Sequence, residues 1–215
     1  MRLVTSVALL IAATLAQAQT PPASTAPIPK GEYSLDKAHA SLIFRVDHMT
    51  FSTFTGRFTQ YQANLAFDPQ QPAASSVRVT IDPRSVSSDN APDGFLQMLG
   101  SDKDWLNGAE HPEMKFASQR VEVVSGRNLR VHGLFTMRGI TKPLVLEARF
   151  NGGYAGHPFD PAARIGFSAK GKLKRSDYGL SAGIPSPTNQ FGVSDEVEVI
   201  LEAEFNGPPL KVARQ

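Results

Sequence analysis

From Ala40 the chain alternates apolar and polar positions, with Leu42, Phe44 and Val46 on one face and Ser41, Arg45 and Asp47 on the other. Ile43 interrupts the pattern. A period of two predicts a half-buried β-strand. The signal returns along the chain. Ala63, Leu65 and Phe67 share a face in the segment from Phe58. Val77, Val79 and Ile81 alternate with Arg78 and Thr80, and Leu144 and Leu146 precede Phe150. Ile165, Phe167 and Ala169 alternate with Gly166, Ser168 and Lys170. Val197, Val199, Leu201, Ala203 and Phe205 alternate with glutamates, apart from Ile200. Further strands are predicted over 114–124 and 128–137. Asp68-Pro69, Ser125-Gly126 and Asn151-Gly152-Gly153 supply turns between them. About eight strands in this arrangement predict an all-β domain, an antiparallel barrel or a sandwich.

One segment has a different period. Phe95, Met98, Leu99 and Leu106 recur at helical spacing, which predicts a helix over 93–106 with one apolar face. Asp89 and Asn90 offer capping oxygens before it, and Gly100 weakens its middle. A single helix among strands is a candidate lid over one end of a barrel. At the N-terminus, Arg2 precedes an apolar run from Leu3 to Leu15, too short to span a bilayer, and Ala16-Gln17-Ala18 follows. This pattern predicts a signal peptide over 1–18, hence export. Residues 19–31 hold four prolines and no periodicity, a linker. The folded domain is expected over 32–207, with a tail over 208–215.

Composition narrows the chemistry. The 215 residues carry 22 Lys+Arg and 20 Asp+Glu, a net charge of +2. That balance supplies no general attraction for phosphate backbones, so no nucleic-acid partner is expected. The zero cysteine count excludes disulfides, thiolate metal sites and cysteine nucleophiles. Gly179-Leu180-Ser181-Ala182-Gly183 matches a nucleophile elbow, but Ile184-Pro185-Ser186-Pro187 cannot start the helix that motif requires. No histidine follows Ser181 either, so the segment reads as a glycine-rich loop. The five histidines form no metal-binding spacing, and His39 and His48 fall on opposite faces of a regular strand. No metal or other cofactor is expected. Lys170, Lys172 and Lys174 read as the solvated face of a strand. Asp82 with Arg84, and Arg175 with Asp177, read as salt-bridged corners.

Six motifs in order along 33–205 carry a resemblance. They are Tyr33-Ser34-Leu35-Asp36 running to Phe44-Arg45-Val46-Asp47-His48, then Gly56-Arg57-Phe58, then Ile81-Asp82-Pro83-Arg84-Ser85-Val86. Asp104-Trp105-Leu106 with His111-Pro112-Glu113-Met114-Lys115-Phe116 follows. The last two are Gly133-Leu134-Phe135-Thr136-Met137-Arg138-Gly139-Ile140-Thr141-Lys142-Pro143 and Arg175-Ser176-Asp177-Tyr178-Gly179-Leu180. Together they resemble the YceI-like, lipocalin-like polyisoprenoid-binding proteins of bacteria. One departure stands out: many members carry R-D-x-H-L in the helical segment, whereas this chain has Asp93-Gly94-Phe95-Leu96-Gln97-Met98-Leu99.

The resemblance implies an all-β fold, an eight-stranded antiparallel lipocalin-like barrel with one helical lid segment and an apolar tunnel. It implies a non-enzymatic periplasmic protein that sequesters or carries a polyisoprenoid, quinone-like or fatty amphiphile. The expected lining is Leu42, Phe44, Val46, His48, Phe58, Leu65, Phe67, Phe116, Phe135, Phe167 and Phe205, with Phe95, Leu99 and Trp105 from the helical segment. His48 is the candidate to meet a ligand head, with a capped loop histidine as the alternative, and Phe95 with Leu99 the candidate gate. No stable membrane insertion is expected, and a homodimer is left open. Read from the residues alone, a filled core that binds a protein partner stays open beside the hollow barrel, and an enzyme using the barrel as a reaction chamber ranks below both.

Overall fold

The computed structural model describes residues 27–156, 159–188 and 191–209. The expected signal peptide, most of the expected linker and His157 lie outside them. Ten strands form one antiparallel sheet. They are β1 (Gly31–His48), β2 (Ser52–Phe58), β3 (Tyr61–Phe67), β4 (Ser76–Ile81), β5 (Val86–Ser87), β6 (Met114–Ser125), β7 (Asn128–Met137), β8 (Ile140–Tyr154), β9 (Ala162–Lys174) and β10 (Val193–Pro209). β1 thus takes in the last residue of the expected linker, and β10 runs two residues into the expected tail. The order β1-β10-β9-β8-β7-β6-β4-β3 returns to β1 and closes an eight-stranded barrel. Closure removes the free edges of these eight strands, while β5 keeps an unpaired edge.

The two extra strands arise from bends. β2 and β3 are one path broken at Thr59-Gln60, and β4 and β5 are one path broken at residues 82–85. The breaks lie side by side: the Asp82 amide donates to Gln60 O, and the Thr59 amide donates to Ser85 O. Pro83 removes a ladder donor there, while Asp82 Oδ1 accepts from both Arg84 N and Arg84 Nε at 2.9 Å. Beyond the bend β2 continues along β1, and β5 pairs with β2 instead of β6. The wall therefore opens between β5 and β6, and the barrel has a mouth at this end.

A short helix, α1 (Phe95–Ser101), covers that opening. It is half the expected 93–106. Gly94 begins it at φ 76°, and Asp102 is extended and ends it. Neither expected cap acts: Asp89 accepts from Arg57 Nη2 at 3.0 Å, and Asn90 sits at φ 57°. Gly100 is buried close against the backbone of Pro83 and Arg84, so its missing side chain serves packing. Residues after α1 are pinned by Arg138, whose Nη1 donates to the carbonyls of Lys103 and Trp105. Arg138 and Gly139, both with positive φ, make the tight β7–β8 turn that aims this guanidinium.

At the opposite end, the base, polar groups tie β1, β9 and β10 on the outer face. Arg164 Nη1 donates to Asp36 Oδ2 at 2.5 Å and to Glu204 Oε2 at 3.3 Å. Hydrogen bonds from His39, Arg164 and the Ala38 amide pull the Asp36 pKa down to about 2, against a burial effect that raises it. A carboxyl whose pKa is lowered on folding contributes stability above its ordinary value, and the contribution is lost as pH falls through the folded value. Wild-type stability is therefore expected to fall more steeply than that of Asp36→Asn between about pH 4 and pH 2. Urea melts across that range read the difference, and parallel slopes would contradict it.

Candidate functional site

The inward faces of the strands line a cavity of about 770 Å³ that opens beneath α1, and a smaller one of about 120 Å³ lies towards the base, with outward-facing Ser41 and Glu202 also in its lining. The larger volume counts against a core filled by its own side chains. Ten of the expected lining residues reach the upper cavity: Leu42, Phe44, Val46, His48, Phe58, Phe95, Leu99, Trp105, Phe116 and Phe135. Leu65, Phe67, Phe167 and Phe205 line the lower one instead, where Phe67–Phe167 and Phe167–Phe205 form edge contacts with centroids at 5.9 and 6.2 Å. The expected single tunnel is thus two chambers.

An eight-stranded barrel is only wide enough to be filled by its side chains or to hold one small ligand. Three glycines shift the balance here. Phe44 on β1 is paired directly with Gly56 on β2, and its ring lies where a Cβ at Gly56 would sit. The Phe116 ring lies likewise over Gly133 of β7. Leu146 pairs with Gly171, where an added Cβ would stand 2.7 Å from Leu146 Cδ2. Large inward side chains are laid against the wall, and the lumen above them stays open. A glycine inside a strand signals such a close approach.

The upper cavity carries a run of aromatic rings from floor to mouth. Phe58 meets Phe44 at 5.5 Å, Phe44 meets Phe54 at 6.1 Å, and Phe54 meets Phe95 of α1 edge-on at 6.2 Å. Phe54 escaped the expected lining, although it shares the inward face with Ser52 and Gly56 and pairs directly with Val46. Ile81, Met114, Met137, Leu144, Leu173, Val197 and Val199 also line the cavity beyond the expected lining. Each sits on an inward strand position, and Ile81, Leu144, Val197 and Val199 already stand in the apolar rows of the sequence.

Among the described residues that line the upper cavity, the titratable ones are His48, Asp89 and Arg175. His48 and Asp89 are more open to solvent at the mouth, and Arg175 is buried with 5% exposure. Arg175 does not pair with Asp177 as the sequence suggested. Its Nε donates to Ser194 O, its Nη1 to Leu180 O and Ala182 O, and its Nη2 to Val193 O, all within 2.8–3.1 Å. Burial lowers its pKa below the usual guanidinium value, while Asp195 pulls the other way. The planar five-donor fork suits this task, because it ties two carbonyls of one loop, Leu180 O and Ala182 O, to two at the start of β10, Val193 O and Ser194 O. That loop is the glycine-rich segment Gly179–Gly183, with Ser181 exposed and no helix after it. Tyr178 packs beside it on Phe135, centroids 5.6 Å apart, and burial pushes its hydroxyl up to about 12.

Among the described residues, one group offers three metal-ligand atoms together: Asp36, His39 and Glu204, mutually within 4.8 Å. The Arg164 guanidinium already bonds two of them, which supplies the positive charge a cation would bring. The group lies on the outer face of the base, away from both cavities.

Arg175→Leu is expected to lower unfolding stability by about 3 kcal/mol or more, because it strands several buried carbonyls. Denaturant melts measure this. An unchanged midpoint would show that the loop is braced by something else.

The barrel, its bent strands and its arginine-braced loop can be set beside known proteins. Three solved structures share the architecture. BcnA of Burkholderia cenocepacia aligns with a TM-score of 0.66 at 21% identity, over 79% of this chain and 98% of its own. The YCEI protein of Campylobacter jejuni aligns with a TM-score of 0.63 at 29% identity, over 75% and 90%. A polyisoprenoid binding domain from Saccharophagus degradans has the same fold at 17% identity, with a TM-score of 0.55 over 82% and 98%. In sequence, Protein YceI of Escherichia coli O157:H7 is 34% identical over 178 residues, which is 80% of this chain and 85% of that protein. Protein YceI of Salmonella newport matches to the same extent. The profile of the YceI-like domain covers residues 33–205, from the first buried tyrosine of β1 to the last buried phenylalanine of β10. By that span and that identity, the chain belongs to the YceI-like domain family.

Proposed function

We propose that the barrel binds a single long-chain amphiphile of the polyisoprenoid or quinone-like class, tail inward and head at the mouth, and carries or stores it in the periplasm. The upper cavity is the observation that carries this reading. It is lined almost wholly by apolar side chains and opens at the mouth, so water inside it finds few hydrogen-bond partners and an apolar occupant would release that water. A tail that leaves about 500 Å² of apolar surface in the cavity gains roughly 12 kcal/mol gross, set against about 4–15 kcal/mol for association. Net affinity then depends on how well the tail fits, with no charged anchor required.

The polyisoprenoid binding named for the Saccharophagus degradans domain supports the ligand class, since the fold is shared. The apolar lining supports binding over catalysis: His48 and Asp89 stand at the mouth, and the Arg175 donors are turned to loop carbonyls. Phe95 and Leu99 would gate the mouth from α1, and His48 would meet the head group. Export rests on the charge, apolar run and small residues at the N-terminus.

Phe44→Asp places a carboxylate in the middle of the aromatic run. It is expected to lower the affinity of delipidated protein for the long isoprenoid alcohol solanesol by at least about a hundredfold. Fluorescence titration reads this, with circular dichroism to confirm folding. Gly56→Ala is the milder companion, since its Cβ would push the Phe44 ring into the lumen. Full solanesol affinity in both folded variants would contradict the proposed pose.

A further inference from the structure

Five residues line both cavities at once: Leu42, Val79, Phe116, Leu146 and Leu201. They form a layer across the barrel. Leu42 of β1 pairs with Leu201 of β10, and Val79 of β4 pairs with Phe116 of β6. Leu146 stands on β8, two strands from β10 and two from β6. The layer is therefore fed from around the ring, with the upper cavity above it and the lower one beneath it.

We infer that this layer is the chain-length stop of the ligand site, so that it selects among isoprenoid tails by length. The inference rests on the proposed function and adds the residues that set specificity. Its physical basis is the small freedom of the layer to part. Phe116 and Leu146 already lie flat over Gly133 and Gly171, where the wall has no side chain left to yield. Leu42, Phe116 and Leu146 are buried, and close-packed interiors hold such side chains in fixed rotamers. Beneath the layer, Phe67, Phe167 and Phe205 brace one another and floor the lower chamber. A tail entering at the mouth gains affinity with each isoprene unit until it meets the layer. Further units must then stay at the mouth, in water. Removing Leu146 atoms joins the lower 120 Å³ to the path and moves the stop towards the base.

The test is a length series on delipidated, mature protein with farnesol, geranylgeraniol and solanesol, in order of increasing length. In wild type, affinity is expected to climb with length and then level off. In Leu146→Ala the climb continues, so the ratio of solanesol to farnesol affinity rises about tenfold over wild type. Phe116→Leu, a gentler change, should move the ratio in the same direction if Leu146→Ala does not fold. An unchanged ratio in a folded variant, with wild type binding these alcohols, overturns the layer as a stop and leaves the proposed function intact. Absence of binding by wild type overturns both.

Discussion

The interior of this protein depends on where a few large side chains lie. Eight strands enclose a space that ordinary inward residues would fill. Here Phe44, Phe116 and Leu146 each rest on a cross-strand glycine, at Gly56, Gly133 and Gly171. The close approach lets rings and branches lie along the wall, and the lumen keeps its volume. Any side chain at those glycines would turn a bulky group inward. The cavity, its division into two chambers and the aromatic run to the mouth all follow from this packing.

The two ends are built differently, and the difference gives the barrel a direction. At the base, Tyr33 is buried with its hydroxyl on Pro29 O, and Arg164 ties the outer faces of β1, β9 and β10. At the mouth, the bends in β2–β3 and β4–β5 leave the wall open between β5 and β6, where α1 sits. A helix of seven residues without a side-chain N-cap has little stability of its own and is held by packing. Arg175 and Leu180 line the same cavity as Phe95 and Leu99 of this helix.

Much of this was legible in the chain. Alternation marked the strands, because one face of each meets the lumen and the other meets water. The expected lining residues all reach one cavity or the other. The helix was overextended, since apolar spacing continues to Leu106 while Gly94 and Asp102 set the real limits through backbone conformation. The Arg175–Asp177 pair was misread because nearness in sequence says nothing about which carbonyls surround a buried guanidinium. The layer of five residues was hidden too, as it draws on β1, β4, β6, β8 and β10, and only the register of the closed barrel brings them to one height. The strand glycines were the available clue to the hollow interior, and Gly56, Gly133 and Gly171 are the ones to weigh in any similar sequence.

The central claim is that the upper cavity holds one long apolar tail. The most direct measurement is mass spectrometry of an organic extract of the mature protein, purified under native conditions from a bacterial periplasm. The account requires an isoprenoid or long acyl species at close to one molecule per barrel. A folded protein that repeatedly yields no such species, and that takes up none when supplied, would contradict it.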